Sequence, residues 1–479
     1  MKICFLVPPP LDGKPAAERI FGCNYGVYNQ PNIFMLYVAT VLQKAGHEVL
    51  IKDCVIEHAS VSAFQKFITE NSSDIYFLGT VFLSKTTDLK AREMIRLLQP
   101  HARFCYYSTE PTAHPEDFAA EDTVIIRGEP EMTSQEVVAA LEKKTLLQDI
   151  RGIVFSSGGK LVDTGYREPL ENLDVLPFPD RSLLLKRNYN NPKLSVYPFT
   201  TILTSRGCPY RCYYCVPNSL SFSREIDLKK KTGAFLKPRF RSRSVDNVVQ
   251  EVRMLARQGY RSFSILDDLF AFDNQWTIDF CQKIQDLRME WSCLSRADHM
   301  TDPAMVQAMG KAGCKFVAMG IESFHQDILK FVRKDLDLGT VPVAVQNMKK
   351  AGIEVVINVL FASCDLETEK TILETYRTLK QLDPDYVLFS ACTPFPYTEF
   401  NQIAREKGWM VEPEYRPVDP MKSAFISYSH LSKERIEKLL RRVYIGFYFR
   451  PSYLWKKLCK VKSPLDFINK IKAALNIFR

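Results

Sequence analysis

The sequence predicts an α/β protein: a doubly wound parallel sheet, then a partial (β/α)6 barrel of the TIM type, then a basic helical tail. Strand-like and helix-like segments alternate with short connections in two successive series, which is typical of parallel sheets covered by helices. The charge is uneven, since residues 435–479 hold twelve Lys or Arg against two acids, a net +10, whereas the whole 479-residue chain carries +9. With 46% hydrophobic and 25% charged residues, the composition excludes wholesale disorder.

The first series occupies residues 1–155. Its predicted strands are 2–7, 47–52, 74–80, 103–107 and 123–127, and its predicted helices are 33–45, 61–70, 84–99 and 131–143. Ligands of such sheets bind at the carboxyl ends of the strands, so we expect any site of this domain at that edge.

The second series occupies residues 199–400, after a connector, 156–198, that contains several Gly and Pro and shows little periodicity. Six strands are predicted at 199–204, 261–266, 290–295, 315–320, 354–361 and 385–391, with helices near 245–258, 275–287, 302–312, 325–331, 340–351 and 367–382. The chemistry of such a barrel should lie at the C-terminal ends of its strands.

Residues 401–479 form the predicted basic tail. Apolar residues recur there at helical spacing, at Ile436, Leu439, Leu440 and Val443 and again at Leu465, Ile468, Ile471 and Leu475. We favour peripheral contact of residues 435–479 with the inner face of a membrane; a helical cap on the barrel and nucleic-acid contact are the alternatives.

No apolar run reaches the ~18–20 residues of a membrane-spanning helix, and the N-terminus lacks a signal-peptide core, which predicts a cytoplasmic protein.

Three of the thirteen cysteines stand together directly after the first predicted barrel strand. Cys208, Cys212 and Cys215 have the spacing C-x3-C-x2-C, whereas the other ten are scattered, mostly in apolar stretches typical of core residues. A structural zinc site usually takes four ligands in two separated pairs, and no second pair follows. A full [4Fe–4S] site also takes four thiolates. Three thiolates would leave one iron open to a substrate or cofactor, which favours a catalytic cluster over zinc.

This loop, residues 205–215, resembles the signature of the radical S-adenosylmethionine (SAM) enzymes. The resemblance implies that Cys208, Cys212 and Cys215 hold a [4Fe–4S] cluster whose open iron chelates the amino and carboxylate groups of SAM. Reductive cleavage of SAM then yields a 5′-deoxyadenosyl radical, with the electron supplied by a reductant such as a flavodoxin or a ferredoxin. Tyr214 matches an aromatic position that lies near the adenine in the family.

Five further segments resemble one subgroup of this family, the type with a cobalamin-binding domain, which includes the anaerobic magnesium-protoporphyrin cyclase and hopanoid-modifying enzymes. They follow the subgroup's order at 127–131 (RGEPE), 173–179 (LDVLPFP), 240–244 (FRSRS), 265–270 (ILDDLF) and 320–323 (GIES). The resemblance implies a B12-binding-like Rossmann fold for residues 1–155 and cobalamin as a cofactor. Methyl transfer is the commonest reaction of the subgroup, beside cyclisation and rearrangement.

The resemblance also implies SAM contacts at the barrel mouth. Asp267, Asp268, Arg296, Glu322 and Ser323 fall at the ends of predicted strands, where side chains converge. A carboxylate can accept hydrogen bonds from the SAM amino group or the ribose hydroxyls, and Arg296 can bind a carboxylate as a fork. For Asp268 the alternative is a cap on the following helix.

Departures from the subgroup pattern concern cobalamin and the substrate. No D-x-H-x-x-G motif follows the second strand, so a histidine ligand to cobalt is not indicated. Residues 108–111 (STEP) stand where the subgroup has Gly-Gly, although Gly79 and Thr80, at the end of the preceding strand, remain suitable for cobalamin. Loop 360–368 differs from its counterpart, and Tyr397 replaces a Gly. Both would face the active site, so the subgroup's substrates do not transfer.

Three hypotheses follow. The first is a radical SAM enzyme that modifies an unactivated carbon of a lipid or isoprenoid-like small molecule, by cobalamin-dependent methyl transfer or related C–C chemistry. The second is a radical SAM cyclase or rearrangement enzyme whose B12-like domain is empty. The third, from another class, is a non-enzymatic iron–sulfur or zinc protein that binds nucleic acid through its basic tail; nucleic acid is the least favoured partner.

Overall fold

The computed structural model describes residues 1–21, 29–185, 189–411 and 419–459. Its N-terminal part is a seven-stranded sheet with an apolar core on each face. The elements are β1 (Lys2–Val7), α1 (Ile33–Lys44), β2 (Glu48–Asp53), α2 (Val61–Glu70), β3 (Ile75–Gly79), α3 (Lys85–Leu98), β4 (Arg103–Tyr107), α4 (Thr109–Ala113), β5 (Thr123–Ile126), α5 (Pro130–Lys143), β6 (Ile153–Ser157) and β7 (Lys160–Asp163). The strand order is β2-β1-β3-β4-β5-β6-β7, with the first five strands parallel, which confirms the predicted doubly wound sheet.

The sheet ends in a hairpin that the sequence analysis places partly in the connector. β6 pairs antiparallel with β5, and β7 pairs antiparallel with β6 through a turn at Gly158 and Gly159. Both glycines have positive φ (59° and 75°), as a two-residue hairpin turn requires. The predicted boundary at residue 155 therefore falls inside β6, because a Gly-Gly pair is typical of a hairpin turn as well as of a linker.

The second part is the barrel. Its elements are β8 (Phe199–Ile202), β9 (Ser205–Arg206), α6 (Ser219–Thr232), β10 (Arg241–Ser242), α7 (Val245–Arg257), β11 (Ser262–Ile265), α8 (Asn274–Ile284), β12 (Glu290–Ser295), α9 (Pro303–Lys311), β13 (Cys314–Glu322), α10 (Gln326–Phe331), α11 (Thr340–Lys350), β14 (Glu354–Phe361), α12 (Glu369–Leu382) and β15 (Tyr386–Ala391). Six parallel strands form one open sheet in the order β15-β14-β13-β12-β11-β8, which confirms the predicted partial barrel. β9 and β10 form a separate antiparallel pair.

Helix α1 belongs to both parts of the molecule. Met35 and Val38 pack with the core of the N-terminal sheet. Leu36 and Tyr37 pack instead in a cluster that includes Leu203, at the end of the first barrel strand. Because one helix contributes to both cores, the barrel and the sheet are held in direct apolar contact.

Within residues 399–411 and 419–459, three helices follow the barrel: α13 (Glu399–Glu406), α14 (Lys433–Tyr448) and α15 (Pro451–Cys459). The predicted apolar stripe of α14 is fully buried against the barrel core, at Ile436, Leu439, Leu440 and Val443. Of the three interpretations of the tail, the helical cap is the one that fits α14, because a face used in packing is not free for a membrane. The second stripe, at Leu465, Ile468, Ile471 and Leu475, lies outside the described residues. None of the helices described is long and apolar enough to cross a bilayer.

Candidate active site

The three clustered cysteines lie on a loop, residues 207–218, between β9 and α6. Cys208, Cys212 and Cys215 are free, half-buried thiols. Burial raises the pKa of Cys208 and Cys215, and the nearby Lys237 ammonium partly offsets the rise. A cation beside partly buried thiols favours their thiolate forms, which are the forms that bind metal.

Asp268 joins the two ends of this loop. Its carboxylate accepts hydrogen bonds from the backbone N–H groups of Gly207 and Asn218, both at 3.1 Å, and from the Ser221 hydroxyl and the Asn218 amide. The alternative of a helix cap is wrong, since Asp273 is the N-cap of α8. Asp268 therefore fixes the shape of the cysteine loop, and its predicted contact with SAM stays a prediction.

Asp267 lies below the same loop and is 1% exposed. It accepts hydrogen bonds from the backbone N–H of Thr204 (2.7 Å), the Ser205 hydroxyl (2.7 Å) and the Thr204 hydroxyl. Burial raises its pKa to about 6, although these hydrogen bonds favour the carboxylate. Both carboxylate oxygens are thus engaged with the turn that leads from β8 into the cysteine loop.

Arg296 also contacts the cysteine loop. Its guanidinium lies 3.5 Å from the centre of the Tyr210 ring, inside the cysteine loop, which is a favourable cation–π geometry. It also pairs with Asp298 (2.8 Å) and donates to the carbonyl of Lys334 (2.7 Å). The predicted carboxylate fork of Arg296 is therefore occupied by the chain itself.

Glu322 ends β13 in a strained conformation. Its φ is +69°, a region that residues other than glycine rarely adopt and that concentrates at functional sites. The carboxylate pairs with the Lys334 ammonium at 3.0 Å, and the same ammonium faces Cys212. The next residue, Ser323, is fully buried and accepts a hydrogen bond from the backbone N–H of His325 (3.3 Å). Glu322 and Lys334 thus form a charged pair beside the loop.

Tyr214 precedes the third cysteine and is 9% exposed. Its ring meets Tyr213 edge to face at 6.1 Å, and its hydroxyl has no hydrogen-bond partner among the described residues. Since an unpaired buried hydroxyl costs free energy, a ligand at this position would gain by supplying a partner. The structure thus gathers all the residues predicted to bind SAM around the cysteine loop.

A cavity of about 310 Å³ opens beside Cys212 and Cys215. Its walls come from the end of α4, from α6 and the segment that follows it, and from the loop that carries Tyr397. The lining combines aromatic and aliphatic side chains with several Lys and Arg. A small molecule in this cavity would lie directly against two of the three cysteines.

Two of the sequence motifs meet at the interface between the sheet domain and the barrel. Glu129 pairs with Arg241 (2.6 Å) and Arg224 (2.8 Å), and Glu131 pairs with Arg206 (2.6 Å). The side chains of all five are at most 9% exposed. RGEPE and FRSRS therefore form a buried ionic contact that sets the orientation of the two domains.

Gly79 and Thr80, predicted to face cobalamin, lie at a sheet edge that the chain itself fills. A Cβ at Gly79 would lie 2.9 Å from the Tyr107 ring, and its carbonyl accepts a hydrogen bond from Arg19 (2.8 Å). The Thr80 hydroxyl donates to Asp88 (2.7 Å). The cavity left beside Gly79 is about 10 Å³, room for roughly one water molecule. Among the described residues, the chain's own side chains therefore fill this edge.

Comparison with known proteins gives the family. Residues 202–379, which contain the cysteine loop and strands β11 to β14, match the model of the radical SAM superfamily. The chain therefore contains a radical SAM domain. It therefore uses SAM and a [4Fe–4S] cluster, as the cysteine motif predicts, and the non-enzymatic hypothesis is wrong.

Several curated proteins are similar to this radical SAM enzyme over most of its length. An uncharacterized methyltransferase of Pyrococcus horikoshii is 28% identical over 470 residues, which cover 96% of this chain and 95% of the relative. An anaerobic magnesium-protoporphyrin IX monomethyl ester cyclase of Rubrivivax gelatinosus is 26% identical and covers 79% of this chain and 67% of its own. A hopanoid C-3 methylase of Methylococcus capsulatus is 24% identical, with 76% and 66% covered.

Two solved structures share the fold of this radical SAM enzyme. The methyltransferase TsrM of Kitasatospora setae, solved with cobalamin and a [4Fe–4S] cluster, has a TM-score of 0.65 and 18% identity, and the match covers 91% of this chain and 84% of TsrM. OxsB, solved with aqua-cobalamin and SAM, has a TM-score of 0.71 and 16% identity, with 99% and 71% covered. The chain therefore shares the fold of these two enzymes.

The cysteine loop of this radical SAM enzyme does not gather its three thiols closely enough to bind one metal ion. Sulfur ligands of a tetrahedral zinc ion lie roughly 4 Å apart. The sulfur atoms of the three cysteines do not all lie within 4.8 Å of one another. Among the residues that the structure describes, the ligand atoms of His114, Glu116 and Asp117 meet that distance. A wider spacing suits thiolates that bind different irons of one cluster.

Some residues at the site have no counterpart in the sequence analysis. Lys229, Lys230 and Lys237 line the cavity, two of them at the end of α6. The sequence feature that could indicate these lysines is the segment 229–237 (KKKTGAFLK), in which lysines flank an exposed Phe and Leu. The sequence analysis does not predict this helix, because α6 buries mostly polar residues and therefore shows no apolar periodicity.

Proposed function

We propose that this radical SAM enzyme modifies an unactivated carbon of a small, partly apolar molecule bound beside Cys212 and Cys215. The observation that carries the proposal is the cavity, which opens directly onto two of the three cluster-binding candidates. Methyl transfer or related C–C chemistry is the proposed reaction class, supported by relatives that are named methyltransferase, methylase and cyclase.

We assign Cys208, Cys212 and Cys215 to the cluster, which when bound supplies the electron that cleaves SAM and starts radical chemistry. Tyr214 and Glu322 are assigned to SAM, because the Tyr214 hydroxyl lacks a partner and Glu322 is held in a strained conformation next to the loop. Ser323, buried beside Glu322, supports that strand end.

The other three predicted SAM contacts act on the loop. Asp267 accepts a hydrogen bond from Thr204, in the turn that leads into the loop, and Asp268 accepts hydrogen bonds from Gly207 and Asn218 at the two loop ends. Arg296 stacks on the Tyr210 ring within the loop. Their proposed main role is therefore to position the cysteines and to exclude water from beneath them, and direct contact with SAM is secondary.

The route to the product has two candidates. Cobalamin is bound in the structures of TsrM and OxsB, which supports cobalamin-dependent methyl transfer as the first candidate. The filled edge at Gly79 and Thr80 favours the second candidate, a radical cyclisation or rearrangement without cobalamin. Bound cobalamin per chain, measured after anaerobic production with cobalamin supplied, separates them. Near-stoichiometric retention supports the first candidate, and no retention with an intact cluster supports the second.

The cluster assignment is tested by single substitutions. Cys208→Ala, Cys212→Ala and Cys215→Ala chains are reconstituted anaerobically with iron and sulfide, reduced, and assayed for 5′-deoxyadenosine. Each should lose SAM cleavage, because a cluster short of one thiolate is not held. Cys459→Ala, at an exposed cysteine of α15, is the matched control and should retain cleavage. Cleavage retained in any of the three loop variants would contradict the assignment.

Two partners complete the proposal. A small electron-transfer protein such as a flavodoxin or a ferredoxin is proposed as reductant, because each SAM cleavage needs one external electron. Peripheral contact with the inner face of a membrane is proposed for the basic tail within 435–479, whose last residues lie beyond the described part of the chain. The apolar face of α14 is not part of that contact, since it is buried on the barrel.

A further inference from the structure

We infer that the cavity beside the cysteines binds an anionic group, a phosphate or a carboxylate, carried on an apolar body. The inference rests on the proposed function and deepens it by naming the substrate class. The lining carries five cations against two carboxylates, an excess of three positive charges: Arg211, Lys229, Lys230, Lys237 and Arg333 against Glu225 and Glu399.

Two of the five cations are already paired. Lys237 binds Glu225 at 3.2 Å, and Arg333 binds Glu399. Lys237 also faces Cys208 and Cys215, so its charge serves the cysteine loop. The excess positive charge therefore resides on the remaining three cations, of which Arg211 is exposed at the rim.

The side-chain ammonium groups of Lys229 and Lys230, at the end of α6, form no hydrogen bond or ion pair with another described residue. The acid that faces Lys229 is Glu399, which Arg333 already binds. Asp227 and Asp163, which face Lys230 together with Glu116, are both bound by Arg127. No cysteine is among the charged groups facing either lysine, so these charges are distinct from those that serve the cluster.

Burial supports the same conclusion. It lowers the pKa of both Lys229 and Lys230, as expected for ammonium groups that lose water without gaining a partner. The Lys229 ammonium lies 3.5 Å from the centre of the Phe235 ring, a contact that orients it without neutralising it. An anion entering the cavity would supply the missing partner.

Most of the remaining lining is apolar. Phe222 and Ile226 are buried on α6, and the Tyr397 ring packs against them. Phe235 and Leu236 form an apolar lip at the mouth, 36% and 41% exposed. A purely ionic ligand would leave this surface in water, whereas an amphiphile buries it while its head group meets the lysines.

The test uses the full chain with its cluster reconstituted, and calorimetric titration at low salt. Four probes are compared: dodecyl phosphate, dodecanoate, dodecyltrimethylammonium and inorganic phosphate, with the amphiphiles kept below micelle formation. The two anionic amphiphiles should bind at least tenfold more tightly than the other two probes. Comparable binding of the cationic amphiphile would overturn the anionic class, and comparable binding of inorganic phosphate would overturn the apolar body.

A matched pair of variants locates the head group. Lys229→Gln/Lys230→Gln should weaken dodecyl phosphate at least tenfold. Lys231→Gln, at the next position of α6, should change it less than twofold, because Lys231 binds Glu168 (2.8 Å) and does not line the cavity. Equal losses in both variants would overturn the assignment. SAM cleavage by the same wild-type sample distinguishes the two proposals. Cleavage without amphiphile binding would contradict this inference alone. Amphiphile binding without cleavage would contradict the proposed function alone.

Discussion

Glu367 is a fully buried carboxylic acid in the segment that follows β14. Its Oε2 accepts a hydrogen bond from the backbone N–H of Ser363 (3.2 Å), and Oε1 has no side-chain partner within hydrogen-bond distance among the described residues. The backbone N–H of Ala362 also favours the carboxylate. Burial raises the pKa of Glu367 to about 8, against 4.5 for an unperturbed glutamate. Between these values the folded chain holds a proton that the unfolded chain has released, so stability falls as pH rises through this window.

Glu367→Gln is expected to remove much of this pH dependence, because the amide stays neutral. The melting temperature of the wild-type chain should fall between pH 5.5 and pH 8.5 by more than that of the variant. Glu70→Gln, at an exposed position on α2, is the control and should keep the wild-type decline. An equal decline in the Glu367→Gln chain would show that this residue does not carry the effect.

At the same scale, the sequence predicts where the site residues lie but not what they bind. Parallel barrel strands end at one mouth, so Asp267, Asp268 and Glu322 could be placed there from the strand pattern alone. Their partners could not, because Thr204, Gly207 and Lys334 lie on other loops. Only the folded chain shows that Asp268 binds the cysteine loop and that Asp267 binds the turn that leads into it.

The cysteine loop is an element whose shape depends on one carboxylate. Asp268→Ala removes the acceptor for groups at both loop ends, and we expect iron per chain to fall at least twofold after identical reconstitution. Asp268→Asn keeps one acceptor oxygen and should lose less. Asp286→Ala, at a surface ion pair with Arg253, is the control. Full iron content in Asp268→Ala, with unchanged far-ultraviolet circular dichroism, would contradict the positioning role.

Element prediction succeeds where a buried face is apolar and fails where it is polar. The strands and helices of the barrel carry regular apolar patterns and appear close to the predicted positions. α6 escapes prediction because its buried side chains include Ser221, Ser223, Arg224 and Asp227, which meet the charged interface. A polar interface leaves no periodic signal, so such a helix is visible only once its partners are known.

At the scale of the whole molecule, two departures from the subgroup pattern meet each other. Tyr397 donates a hydrogen bond from its hydroxyl to Glu110, which also pairs with Lys85 at 3.0 Å. Tyr397 keeps the positive φ (72°) that suits the Gly it replaces. The sequence identifies Glu110 and Tyr397 as two separate departures from the subgroup pattern. Only the folded structure shows that they contact each other, although 287 residues separate them in the chain.

Tyr397→Phe should loosen this contact between the domains. Removing the hydroxyl leaves the buried Glu110 carboxylate short of a donor, at a cost of about 1–3 kcal/mol. We expect faster amide hydrogen exchange across Thr109–Ala113. Tyr448→Phe removes a hydroxyl that binds the Val387 backbone under α14, and it should leave exchange in α4 unchanged. Unaltered α4 exchange in Tyr397→Phe would show that the contact does not hold the domains.

The buried acid–arginine contacts between the domains also limit how such genes can recombine. Glu129 and Glu131 precede the connector, and Arg206, Arg224 and Arg241 follow it. A chimera joined within the connector takes the acids from one parent and the arginines from the other. Leaving a buried charge without its partner typically costs ~3–5 kcal/mol. Hybrids between parents that differ at these five positions should therefore fold poorly, so that both halves are inherited together.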